Sequence, residues 1–334
     1  MSILKSKVFH SALGLLVSLA LIGWMVFAVE WREVGEQLHH INYLVFVWVT
    51  LVMFLHMGLR ALRWRAFLPA SEPVPTFMDL FDSIMLGCLA TFILPLRAGE
   101  VVRPLLLSKK SGVPFATGLV SVIIERFFDL SAVLISFGLV VIYVPGVPEW
   151  VGKGASVLTV LAAMILVALL LGACAPKLIA LLVARSTSVL PEKLRNALTK
   201  FTEDFLRGTV VLKDPVRLAK VFIFTVLVWL SNFFVYYLYI ALVNVEPTPL
   251  LAVTLGVVLA LAVAAPSLPG FLGVYQGGCV VGFALFGISR ETAITCAIVS
   301  HFYQYVFIVL YGIIAMVRGG LGFRDLKASR QVGN

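Results

Sequence analysis

The chain has 334 residues, 61% of them apolar and only 13% charged, with a formal net charge of +9. A mean hydropathy of +1.04 excludes a soluble globular domain, whose charged share is about 25%. The Lys and Arg lie between apolar segments, so the positive balance excludes a nucleic-acid footprint and reads as topology and attraction to anionic lipid.

These values predict an all-α, polytopic membrane protein, one integral membrane domain over residues 1–334. Lys5 and Lys7 precede an apolar run over residues 8–29. That run exceeds a signal-peptide h-region of about 7–15 residues and lacks a small-x-small cleavage site, so it predicts a retained first span. Residues 30–40 read as a loop carrying Glu30, Glu33 and Glu36 against Arg32. A second span is expected over 41–59, followed by a basic collar of Arg60, Arg63 and Arg65. Pro69, Pro73 and Pro75 then break the chain.

Residues 77–96 are apolar but contain Asp79 and Asp82 and end near Pro95. The charged stretch RAGEVVRPLLLSKK follows, then an apolar run over 113–143 that is too long for one ordinary crossing. Its first part, to about Ile124, is expected to form the returning arm of a hairpin, and the remainder to span. A further span is expected over 155–174. In residues 176–217, Leu194, Leu198, Phe201 and Phe205 recur at helical spacing, with Lys193, Arg195, Lys200 and Arg207 between them. That pattern predicts a cytoplasmic amphipathic segment at the membrane interface, too short for an enzymatic domain of its own. Spans are expected over 219–243 and 292–317. Between them, runs 250–265 and 271–287 flank APSLPGFLG, whose prolines and glycines free backbone groups that only protein or a cavity can satisfy at depth.

Charge asymmetry selects among topologies. If residues 77–96 dip in and return, with both termini cytoplasmic, the outer loops hold only Arg32, Lys153 and Arg290. The reading is about six full spans plus two re-entrant or broken helix hairpins, entering from opposite faces in the two halves of the chain. Such an inverted repeat, read from hydropathy and charge rather than repeated sequence, is how many transporters build a midplane site.

The candidate site residues are ionisable groups in or against apolar runs, where a charge costs on the order of 3 kcal/mol. Arg97, Glu100 and Arg103 are three apart in turn, which on a helix puts the carboxylate between two guanidiniums. A mutual salt bridge is the plain alternative, but two Arg to one Glu leaves a positive excess suited to phosphate. Gly99 permits a tight backbone there and Pro104 suits a helix start. In IIERFFD, Arg126 and Asp129 form a neutral pair at helical spacing, and Glu125 is left to take a proton or to neutralise an Arg of the first motif. Gln276, His301 and Gln304 are secondary candidates; a lone intramembrane His is more often hydrogen-bonded packing than a proton relay. Cys88, Cys174, Cys279 and Cys296 show no disulfide or metal spacing. No P-loop, HExxH, GxSxG or metal cluster occurs, so no cofactor is expected, and movement of a substrate would be downhill or ion-coupled.

Over RAGEVVRPLLLSKKSGVPFATGLVSVIIERFFDL and PSLPGFLGVYQ the chain resembles the lysylphosphatidylglycerol synthetase transmembrane-domain family, with its RxGExxR stretch and later ER-x-x-D. The family often has Glu where this chain has Gln276, so a charge-dependent role does not carry over to that position. The resemblance implies a flippase-like domain in a bacterial or archaeal cell membrane, without the synthetase domain that can accompany it. The leading expectation is a transporter of an anionic phospholipid or polyisoprenoid-phosphate lipid, rather than an enzyme. The alternatives are a membrane-embedded transferase on a lipid-linked substrate, with Glu100 or Glu125 as base, and a non-catalytic partner of lipid-synthesis enzymes. Expected partners are anionic lipid headgroups, a second copy of the chain or lipid-synthesis enzymes, and no nucleic acid.

Overall fold

The structure is a computed structural model that describes Gly23, Phe27 and residues 29–69, 73–93, 99–146, 149–188, 190–209, 213–264 and 267–319. Most of the expected first span, Arg97, and the tail cations Arg324, Lys327 and Arg330 lie outside the described residues, as does Pro266. Everything regular among the described residues is helical. In chain order the helices are α1 (Trp31–His39), α2 (Val45–Phe67), α3 (Phe77–Ile93), α4 (Gly99–Ser111), α5 (Phe115–Tyr143) and α6 (Glu149–Cys174). They continue with α7 (Pro176–Ser186), α8 (Glu192–Thr209), α9 (Pro215–Leu242), α10 (Pro249–Ala264), α11 (Val274–Ala284) and α12 (Arg290–Arg318).

Helix starts follow local chemistry. Asp214 accepts from the amides of Val216 and Arg217 at 3.0 and 3.2 Å, with Pro215 just inside α9. Thr76 and Asp79 cap each other's backbone N–H reciprocally at the start of α3. Ser289 accepts from the Thr292 amide at 3.2 Å to begin α12.

Helices α2, α5, α9 and α12, of 23, 29, 28 and 29 residues, are long and apolar enough to cross a membrane. At about 1.5 Å per residue each exceeds the roughly 30 Å hydrocarbon layer. Half of the most apolar stretch of α12 is buried inside the protein, against 11% for α5. Helix α12 is therefore the central post, while α5 buries its N-terminal half, Glu125 included, and exposes Ile135, Leu139 and Ile142 towards its C-terminal end.

Two pairs of short helices pack on that post. Helices α3 and α4 have 17 and 13 residues, and α10 and α11 have 16 and 11, all below the roughly 20 needed to span. Near the C-terminal end of α12, Arg318 pairs with Asp82 of α3 at 2.7 Å, and Lys110 of α4 reaches the same carboxylate at 2.8 Å. Further along, Gly312 lies against Leu89, and Tyr305 packs edge-on against Phe92 at 4.5 Å. From the other end, Ile294 neighbours Val280 of α11, Ser300 bonds Tyr275 at 3.1 Å, and His301 reaches the Gly270 turn. The two hairpins thus approach from opposite ends of α12 and meet at its middle, where Phe92 and Phe271 are 6.0 Å apart.

Several expectations change. Residues 31–39 are a helix rather than a loop, seated on α12 through Gln37 and Thr292 at 3.2 Å. The returning arm of the first hairpin is the charged stretch itself, α4, while 115–143 is one unbroken helix. Pro104 lies inside α4 rather than at its start, where it forgoes the bond to the Glu100 carbonyl and receives Gly118 of α5 against its ring. Residues 176–217 form two helices before α9; Phe205 packs on the core while Leu194, Leu198 and Phe201 stay exposed.

Candidate functional site

The basic collar is not a collar. Helix α2 continues past residue 59 to Phe67, which carries Arg60 and Arg63 into the protein. Arg63 is 1% exposed and divides its terminal nitrogens between two carboxylates of α5: Glu125 at 3.0 Å and Asp129 at 2.7 Å. Arg103 of α4 grips both oxygens of Glu125, at 2.5 and 3.3 Å, and its guanidinium lies 4.3 Å from the Trp64 ring. Arg126 reaches Glu125 at 3.3 Å, Asp129 at 3.4 Å and Glu100 at 3.7 Å.

Glu125 is thus a hub shared by three guanidiniums from three helices. A buried carboxylate survives only with such partners. The helices are brought close by small contacts: a Cβ at Gly99 would strike the Gly87 carbonyl across the hairpin. Trp64 donates to Ser121 Oγ at 2.8 Å, locking α2 to α5. Trp229 of α9 donates to Asp129 at 3.3 Å and closes the cluster.

Of the residues singled out in sequence, Glu100, Arg103, Glu125, Arg126 and Asp129 come together, and Arg97 is outside the described residues. The arrangement differs from the helical-spacing expectation in one respect. Arg103 turns to Glu125 rather than Glu100, because Glu125 is 1% exposed and needs a counter-charge more than Glu100, at 36%. The Arg126–Asp129 pair and the neutralising role of Glu125 are both present. The sequence reading places Arg63 in the basic collar and not in the site; its three-residue spacing from Arg60 inside an otherwise apolar helix is the available signal.

His301 and Gln276 form a second, neutral constellation. The Gly270 carbonyl can only accept, so His301 Nε2–H donates to it at 2.8 Å. Nδ1 then accepts from the Gln276 amide at 3.1 Å, and Gln276 Oε1 accepts the Gly273 N–H at 2.9 Å. Tyr275 stacks on the imidazole at 4.3 Å. Gly270 and Gly273 have φ of +72° and +84°, which glycine adopts without strain. This is hydrogen-bonded packing that pins the turn.

Between the two constellations lies a cavity of about 280 Å³, whose lining includes Arg60, His56, Asn232 and Gln304. Gln304 faces this cavity and is not part of the His301 network.

The four helices among the described residues that are long and apolar enough to cross a membrane, with the buried ion cluster, define a polytopic α-helical membrane protein. The lysylphosphatidylglycerol synthase TM region family matches residues 11–312, and the chain belongs to that family. It is also similar to a UPF0104 membrane protein of Methanothermobacter thermautotrophicus, 27% identical over 282 residues, covering 78% of this chain and 79% of the relative. No solved structure matches it.

Proposed function

We propose that the chain is a lipid transporter of the flippase kind, moving an anionic phospholipid or polyisoprenoid-phosphate lipid between leaflets. The observation that carries this reading is the meeting of two opposed broken hairpins at the middle of α12. Discontinuous helices facing each other at mid-depth place a polar site where neither leaflet is favoured. In this reading Arg103 and Arg63 are positioning residues that hold Glu125. Arg126 and Glu100, each more than a third exposed, are the parts of the cluster within reach of a headgroup. A transferase would need a carboxylate at liberty to act as base: Glu125 accepts from three guanidiniums, which leaves Glu100, 3.7 Å from Arg126, as the base of that second reading. The positive-inside rule orients the molecule with Lys109 and residues 176–217 in the cytoplasm.

The test is reconstitution into liposomes with a fluorescent phosphatidylglycerol, followed by leaflet-specific reduction of the dye. The protein is expected to speed exchange above protein-free vesicles. Arg103→Lys is expected to slow it while purifying normally, because an ammonium cannot bridge both Glu125 oxygens. Exchange equal to protein-free vesicles, for both phosphatidylglycerol and a polyisoprenoid phosphate, would remove the transport reading.

A further inference from the structure

Among the described residues, the carboxylates of the ion cluster leave one cation over. Glu100, Glu125 and Asp129 are taken up by Arg63, Arg103 and Arg126. Arg60, one turn before Arg63 on α2, has no carboxylate within salt-bridge distance among the described residues. Its Nη1 contacts only the sulfurs of Met57 and Cys88, at 3.7 and 3.6 Å, and sulfur is a weak acceptor. Its nearest anionic influences, Glu125 and Asp129, are bound by other arginines; a guanidinium so incompletely compensated inside a membrane protein is expensive, and this one lines the 280 Å³ cavity.

The rest of the polar lining is donor-rich. The amides of Asn232 and Gln304 open on the same cavity and have no side-chain hydrogen-bond partner among the described residues. His56 lines it as well, its Nδ1 directed to the Val228 carbonyl at 3.2 Å and Ser231 Oγ at 3.0 Å. Among the described residues no carboxylate lines the cavity, and Met53 and Leu259 are among its apolar walls.

We propose that this cavity is an anion site in which Arg60 holds a phosphate group, with the Asn232 and Gln304 amides completing its oxygen shell. A guanidinium matches oxyanions by its planar fork, and two neutral amides add donors without adding charge. The phosphate belongs to a lipid headgroup or is free inorganic phosphate; the chemistry is shared. The proposal deepens the transport reading by placing the headgroup between the hairpins, and it does not need transport to be correct.

The experiment is native mass spectrometry of the full chain in detergent, titrated separately with phosphatidylglycerol, phosphatidylcholine and inorganic phosphate. Arg60→Gln is expected to weaken phosphatidylglycerol binding about tenfold or more, and Arg60→Lys to fall between. Ala260→Leu fills the cavity without touching charge and is expected to weaken binding comparably. Arg65→Gln removes an exposed cation from the same helix and is expected to leave binding unchanged. Phosphatidylglycerol binding that survives millimolar phosphate assigns the site to lipid. Binding of phosphate that depends on Arg60, without lipid binding, assigns it to the free ion. Unchanged affinity in Arg60→Gln or in Ala260→Leu, with wild-type melting behaviour, overturns the site. Leaflet exchange is scored on the same variants: Arg60-dependent binding without exchange removes transport and keeps the site. Exchange that persists alongside binding indifferent to Arg60 removes the site and keeps transport.

Discussion

Hairpin α3–α4 and hairpin α10–α11 share an outline: two short helices, a break, and a seat on the middle of α12. Their chemistry differs. The first is tied to its surroundings by ions, with Asp82 between Lys110 and Arg318 at its base and Arg103 on Glu125 along its returning arm. The second is tied by neutral groups, the His301–Gln276 chain at its turn and close contacts of Gly278 and Gly282 with Leu259 and Leu255 between its arms. Ionic ties are shared among partners on several helices, so deleting one charge unbalances the rest. The neutral chain gives each donor one acceptor and is complete by itself.

The comparison has a geometric half that gives an all-or-none result. If the hairpins enter from opposite faces, a cysteine at Lys109 is expected to be shielded from an impermeant thiol reagent in intact cells. A cysteine at Glu246, which precedes the second hairpin, is expected to label fully. Both are made in a background lacking Cys88, Cys174, Cys279 and Cys296. Labelling of both positions from outside would put the hairpins on one face and end the inverted arrangement.

The charged half is tested at the hub. Glu125→Gln strips the shared counter-charge from Arg63, Arg103 and Arg126, and breaking a buried pair typically costs about 3–5 kcal/mol. Loss of most folded protein, or a large drop in melting temperature in detergent, is expected. Glu100→Gln is the contrast: 36% exposed and 3.7 Å from Arg126, it is expected to cost less than about 1 kcal/mol. Equal tolerance of both changes would mean the cluster does not hold the first hairpin.

What the sequence disclosed, and what it hid, divides along the same line. Composition and run lengths were enough for the class, and charge asymmetry for a broken hairpin in each half, although the returning arm of the first is α4 and not residues 113–124. The pairing of Glu125 with an Arg of the first motif was one of two readings the sequence left open. Local spacing could not disclose Arg63 on Glu125, since the partners are 62 positions apart and nothing short-range couples them. Arg60 and Arg63 read as the end of a span because charge ordinarily marks the interface. Helix α2 continues through them because α5 supplies carboxylates, a fact of tertiary structure. The same holds for α4, whose charges set it apart from the apolar runs in sequence and which the neighbours that neutralise Arg103 and Lys110 bury in the fold. The neutral turn was more legible, because prolines and glycines announce a break wherever they sit. Its partner His301 was identified, but the closed chain through Gln276 needed coordinates.

The smallest expected effect probes whether the second hairpin is held by neutral chemistry at all. Gln276 works there as an amide: Oε1 accepts the Gly273 N–H at 2.9 Å and Nε2–H serves His301 Nδ1 at 3.1 Å. Gln276→Glu keeps the shape and the first bond, but a carboxylate has no N–H to give. The Nδ1 lone pair is left facing an anionic oxygen, because Nε2–H remains committed to the Gly270 carbonyl at 2.8 Å. Leaving a buried acceptor unpaired costs about 1–3 kcal/mol, so a modest fall in melting temperature is expected. His301→Gln in the same chain offers an amide N–H to the new carboxylate and is expected to recover part of that loss. The coupling is read from the double-mutant cycle. If Gln276→Glu instead raises the melting temperature, and only while His301 is present, the imidazole carries a second proton and pairs with the carboxylate. Both hairpins would then be held by charge, and the contrast between an ionic and a neutral hairpin would fail.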